Sequence, residues 1–155
     1  MTHAGNRETY LRWVRRASPT LVLPLALTAA VQLLAAQPWW AEGPAPPGAG
    51  RYLFLSVAVA ALVVGRNVRT HDTAVRPLSP EALVSLSWRL LTYALAPVVI
   101  GAVLAFMTRQ VLDYYALLLV TLVGLGLLFP RFDQWAEWAT CPDTPAPAPT
   151  GGDAT

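Results

Sequence analysis

The residues able to do chemistry are few, and they stand outside the apolar runs of the chain. The histidines, His3 and His71, lie in polar flanks, and the single cysteine, Cys141, lies in a Pro/Ala tail. Metal binding or redox work needs ligands at recurring spacings such as HExxH or CxxC, and neither spacing occurs. A GxSxG nucleophile turn, a CxxCH haem attachment and a phosphate-cradling glycine loop are missing as well. An axial haem pair would need two histidines facing each other within one bundle. His71-Asp72 reads as a solvated turn, and Cys141 is not in a C-terminal CaaX box. These residues point to a protein that is not an enzyme and takes no cofactor.

Ion movement is the next chemistry to test. A path for ions places an ionisable group at membrane depth, where a charge is costly unless it has a task. The deep parts of the uncharged runs hold no such group. Arg89, Arg109 and Asp113 sit at run ends, within reach of water; Arg109 and Asp113 are near enough in sequence to pair across a turn. The deep polar residues are neutral. Thr28 and Gln32 are four apart and share a helix face, and Thr121 lies at similar depth in the last run. Hydrogen bonding between helices is their ordinary use, at roughly 0.6 kcal/mol each.

The elements that position these residues follow from composition. The 155-residue chain is 55% hydrophobic and 13% charged, against about 25% charged in soluble domains. Its apolar residues are gathered into blocks. Uncharged runs cover Ala17 to Ala41, Tyr52 to Gly65, Leu90 to Thr108 and Tyr114 to Pro130. A spanning helix wants about 20 apolar residues. The second run, 14 residues long, rises only about 21 Å, so its flanking arginines must snorkel to lengthen it. The first run ends in LLAAQPWW and lacks a small-x-small cleavage pattern, so it reads as an uncleaved span.

Charge placement decides between three spans and four. All eleven basic residues are arginines. With four spans and the N-terminus inside, arginines 7, 12, 15, 16, 66, 69, 76, 89 and 131 are cytoplasmic, and only Arg51 and Arg109 are outside. Without the second span the two sides become nearly equal. The positive-inside rule therefore favours four spans with both termini cytoplasmic. The aromatic residues fit the same frame as interface anchors: Trp13, Trp88, Trp135 and Trp138 at the inner boundary beside Arg89, and Trp39, Trp40, Tyr52, Tyr114 and Tyr115 at the outer one. The net charge of +2 is too small and dispersed for a nucleic-acid footprint, which would cluster on one face.

The expected organisation is a basic interfacial segment at 1–17, then a membrane domain at 18–139. Its spans run about 18–38, 51–68, 82–108 and 112–130, forming two antiparallel hairpins, with an interfacial segment at 131–139. A tail at 140–155 is disordered by composition. In RETYLRWVRR and PRFDQWAEW the apolar residues share one helical face, which suits helices lying on the inner membrane surface. Each could equally continue its neighbouring span, and the basic first segment could pair with the acidic last one.

Packing is foreshadowed by small residues and prolines. Pro97, Gly101 and Ala105 are spaced by four on the third span. Ala61 and Gly65 repeat the pattern on the second, and Gly124 and Gly126 thin the fourth. Small residues let membrane helices approach closely. Pro97 removes a donor and should bend its helix. Paired with Pro24 it could instead form the broken helices of a transporter site.

Two stretches carry resemblances. YALAPVVIGAVLAFMT resembles the carboxylate-bearing helix of the rotary ATP synthase ring subunit over Ala94 to Phe106. Pro97 stands where that family has its acid, and the family's glycine-repeat helix has no counterpart, so the ion-carrying role does not transfer. Residues 94–138, including LDYYALLLVTLVGLGLLFPRFDQWAEW, resemble a loose set of small uncharacterised bacterial four-span proteins with an FPR-x-x-QW ending. That resemblance implies a bacterial inner-membrane protein and brings no activity. The expectation is a non-enzymatic accessory or assembly component whose partners are the lipid bilayer and either itself or another membrane protein. The alternative is a small oligomeric transporter or channel for an uncharged or apolar solute.

Overall fold

The first proline of the apolar region shapes the entry into the membrane. Pro19 has no N–H to give, so the carbonyl of Arg15 loses its helical partner. In the computed structural model, which describes residues 3–41, 48–74 and 78–139, the Ser18 hydroxyl donates to that carbonyl at 3.0 Å. Thr20 likewise donates to Ala17 O at 2.6 Å. Helix α1 (His3–Ala17) thus passes through a 3-10 turn (Ser18–Val22) into α2 (Leu23–Ala35), with Pro24 in the first turn. The missing N–H of Pro24 is harmless there, because first-turn donors have no helical acceptor.

The other helices are α3 (Pro38–Ala41), α4 (Gly48–Asp72), α5 (Pro80–Thr108), α6 (Val111–Leu128) and α7 (Phe132–Ala139). Every regular element among the described residues is helical. The tail at 140–155, Cys141, Arg76 and loop residues 42–47 lie outside them. Four stretches are long and apolar enough to cross a membrane: Gly5–Ala35, Gly50–Asp72, Pro80–Thr108 and Val111–Leu128. The chain is an all-α, multi-pass membrane protein.

The short second run is embedded in a longer helix. Helix α4 has 25 residues and rises about 37 Å, more than the roughly 30 Å hydrocarbon core. Its arginines continue the helix. Helix α5 starts where Ser79 accepts from Ala82 N–H at 3.2 Å, with Pro80 beside it. It runs unbroken through Pro97 to Thr108. The chain then reverses at Arg109, which takes a left-handed conformation with φ 53°.

Residue pairs give the directions. Gly101 meets Leu117 and Gly124 meets the Ala94 carbonyl, so α5 and α6 are antiparallel; their contact is the most extensive in the molecule. Arg51 meets Asp113, and Gly65 meets Leu128, so α4 runs parallel to α6. Trp13 lies level with Trp88, and Val31 with Ala105, so α1–α2 runs with α5. The four passes alternate in direction, and α1 and α7 meet at one end of the bundle.

The expected first hairpin does not close. Helices α2 and α4 share no contact among the described residues; each packs instead on the α5–α6 pair. Helix α5 is the centre, buried along most of its length. A two-hairpin bundle would need α2 and α4 to match each other, but Ala58 and Gly65 of α4 face α5 and α6.

Candidate functional site

At one end, polar groups close the bundle. The Asp113 carboxylate sits 3.2 Å from Arg51 Nε and accepts from Thr108 Oγ1 at 2.9 Å. The pairing of Asp113 with Arg109 expected from their nearness in sequence is not formed. Arg109 donates to Trp39 O at 2.5 Å, and its guanidinium lies 5.4 Å from the centre of the Trp39 ring. Arg109 is thus engaged by α3, and Asp113 is met by α4. This linkage ties α4, α5 and α6 together.

The neutral polar residues are engaged within the protein. Thr28 Oγ1 lies 2.7 Å from the carbonyl of Pro24 and 2.8 Å from the Tyr114 hydroxyl. Tyr114 also lies 3.0 Å from that carbonyl. Gln32 donates to the Tyr115 hydroxyl. Thr121 is fully buried and donates to Leu117 O in its own helix at 3.0 Å. Thr28 and Gln32 therefore join α2 to α6, and Thr121 is not brought to them. Nor do Pro24 and Pro97 form a pair of broken helices, because Pro24 opens a helix and Pro97 lies inside an unbroken one.

At the other end the aromatic residues behave differently from an interfacial belt. Trp13, Trp135 and Trp138 are buried within the protein, at 2%, 1% and 3% exposure. Trp13 packs on Trp88, Phe129 and Trp135, and Tyr10 packs on Phe132 and Trp135. Trp135 Nε1 donates to Ser87 Oγ at 2.9 Å. The apolar faces of α1 and α7 thus cover each other and α5 instead of lying open on a lipid surface. Helices α1 and α7 meet through rings; Arg12 lies 3.9 Å from Glu8 of its own helix. Tyr114 is buried too, and Trp40 nearly so, whereas Trp39, Tyr52 and Tyr115 are exposed and Trp88 is half-buried. Arg89 is exposed and pairs with Asp72 at 3.1 Å, which places Asp72 in a bond between α4 and α5 instead of a free turn.

The small residues are mostly spent inside. A Cβ on Gly65 would come within 2.9 Å of Tyr93 Cβ, one on Gly101 within 2.8 Å of Leu117 Cβ, and one on Gly124 within 2.6 Å of Leu62 Cδ2. Ala105 is fully buried and Ala61 partly so. Gly126 is the exception: it is exposed, with nothing within 4 Å of its Cβ position. It faces outward because Gly124 already occupies the inward side of α6.

Every pass leaves an apolar face uncovered, with Leu25 and Leu33 on α2, Val103 and Phe106 on α5 and Leu119 and Leu122 on α6 exposed. The outer face of α4 differs in carrying small residues among the large ones. Leu55, Val59, Val63 and Val64 are exposed there. Ser56 and Ala60, one turn apart, are exposed between them, and together they shape a shallow hollow of about 550 Å³. The Ser56 hydroxyl is satisfied by Tyr52 O at 2.7 Å. Sequence reading singled out the Ala61–Gly65 stripe, which faces inward; the Ser56–Ala60 spacing on the opposite side was the overlooked signal.

Among the described residues no three His, Cys, Asp or Glu side chains gather as metal ligands would. No protein-family model, no curated protein and no solved structure matches this chain.

Proposed function

We propose that this chain is a non-enzymatic integral protein of a bacterial inner membrane, an accessory or assembly component that works by docking a transmembrane helix of another membrane protein. The observation that carries this reading is the exposed Ser56–Ala60 hollow at the middle of α4. A small-xxx-small pair lets a second backbone come close, and packing then supplies the attraction that lipid-exposed apolar area alone cannot. The flanking valines are stiff at χ1, so they lose little freedom when covered. Among the described residues helix α4 packs on α5 and α6, with Arg69 reaching Trp138 of α7, and its Ser56–Ala60 side stays exposed for a neighbour.

The orientation rests on charge. Among the described residues Arg7, Arg12, Arg15, Arg16, Arg66, Arg69, Arg89 and Arg131 belong to the end where α1 and α7 meet, while Arg51 and Arg109 belong to the other. By the positive-inside rule the arginine-rich end, with both termini, is cytoplasmic.

The test is the mass and composition of the native particle in a nanodisc, for the natural chain and for Ala60→Ile. The expected result is a stoichiometric second protein that Ala60→Ile loses while the chain itself still folds. A particle containing this chain alone, as monomer or homo-oligomer, would overturn the accessory reading and favour the small transporter for an uncharged or apolar solute.

A further inference from the structure

Next to the outer face of α4, toward α6, lies a second hollow of different chemistry that shares Val59 and Val63 with the first. Its walls are Val59, Leu62, Val63 and Leu127, over Gly124, and its volume is about 430 Å³. At the arginine-rich end it is closed by Arg66, Arg69 and Thr70. These three are spaced i, i+3, i+4, so they share one helix face.

We propose that this groove is a binding site for one anionic phospholipid, with an acyl chain along the apolar walls and the phosphate between Arg66 and Arg69. Charge selects the occupant. Among the described residues no carboxylate lines this groove. By contrast, the cleft between α1 and α5 sets Glu81 against Arg12 and Arg16, so its signs are mixed. The shape fits as well, because the walls change from apolar to cationic along α4, as a lipid changes from tail to phosphate.

The two arginines have separate parts. Arg69 donates to the Leu127 carbonyl at 2.6 Å, one of the acceptors left open at the end of α6, and stacks 5.6 Å from the Trp138 ring centre. It is thereby held in place, and it cancels the partial negative charge of that helix end, which would otherwise repel a phosphate. Its other N–H groups stay free to donate. Arg66 is exposed and makes no ion pair or hydrogen bond among the described residues, so its charge is available. The Thr70 hydroxyl already donates to Asn67 O at 2.9 Å. It can still accept, which suits a hydroxyl-bearing headgroup such as glycerol.

The test uses the full chain in detergent and native mass spectrometry, titrated with phosphatidylglycerol and with phosphatidylcholine of the same acyl chains. The expected result is one equivalent of phosphatidylglycerol held more tightly than phosphatidylcholine. Arg66→Gln should weaken phosphatidylglycerol about fivefold, the effect of one basic side chain near a lipid phosphate. Arg131→Gln, an exposed arginine of the same end outside the groove, should leave it unchanged. Val63→Phe, which fills the groove, should weaken phosphatidylglycerol without touching the arginines. Equal binding of both lipids, equal losses from Arg66→Gln and Arg131→Gln, or displacement by soluble glycerol phosphate at lipid-like concentrations would each overturn the site.

Discussion

Trp135 of α7 donates its indole N–H to the Ser87 hydroxyl of α5 across 2.9 Å, and both residues are buried. The Ser87 hydroxyl donates to Leu83 O at 2.8 Å, so its oxygen is free to accept. The bond fastens the last helix to the central one, beneath the rings of Tyr10 and Trp13.

Removing one partner of such a bond leaves the other buried and unsatisfied. Ser87→Ala is expected to destabilise the fold by about 1–3 kcal/mol. Trp135→Phe removes the donor and some packing together. In a double-mutant cycle read by thermal unfolding in detergent, the two changes should couple. Strict additivity would show that the indole is held by packing alone.

A second prediction separates the observed partner of Asp113 from the one its sequence neighbourhood suggests. Combining Arg51→Gln with Asp113→Asn should show a coupling of about 1 kcal/mol, typical of a partly exposed pair. The combination of Arg109→Gln with Asp113→Asn should show almost none, because Arg109 is committed to Trp39. A larger coupling for Arg109 would mean that the turn holds a different conformation in the membrane.

The contrast between these arginines shows what hydropathy can and cannot convey. Uncharged runs bounded by arginines disclose spans, because backbone groups in lipid must be satisfied within a helix. They therefore revealed the fold class and four passes. They are silent on which helix packs on which, so α2 and α4 read as a hairpin although each turns to α5 and α6. An amphipathic face on a short helix reads alike whether lipid or protein covers it, so Trp13, Trp135 and Trp138 looked interfacial. Asp113 lies close in sequence to Arg109 but meets Arg51, a contact that only the parallel course of α4 and α6 creates. The Ser56–Ala60 hollow was hidden for a related reason: both sides of α4 carry small residues, and periodicity alone does not say which side is inward.

The turn itself offers a third prediction. Arg109 holds a left-handed conformation, φ 53°, that disfavours residues with a Cβ. Arg109→Ala keeps that strain and loses the Trp39 contacts, whereas Arg109→Gly loses the contacts and relieves the strain. The glycine variant should therefore unfold later than the alanine variant, by about 1 kcal/mol. If alanine were the more stable, the left-handed turn would not be the one the protein uses.

The glycines supply a graded series. At Gly101 an added Cβ would lie 2.8 Å from Leu117 Cβ, an atom fixed to the backbone of α6. At Gly65 it would lie 2.9 Å from Tyr93 Cβ, which is equally fixed. Both alanine variants must push helices apart and are expected to lose about 1–3 kcal/mol. At Gly124 the nearest atom is Leu62 Cδ2, the far end of a side chain that can rotate away, so Gly124→Ala should cost less. Gly126 faces open space, and Gly126→Ala should be neutral or slightly stabilising, since alanine has the higher helix propensity. The order of unfolding temperatures in detergent checks the whole arrangement at once. A Gly126 variant as damaging as Gly101→Ala would place an unseen neighbour against α6, and harmless substitution at Gly101 would dissolve the α5–α6 contact at the centre of the fold.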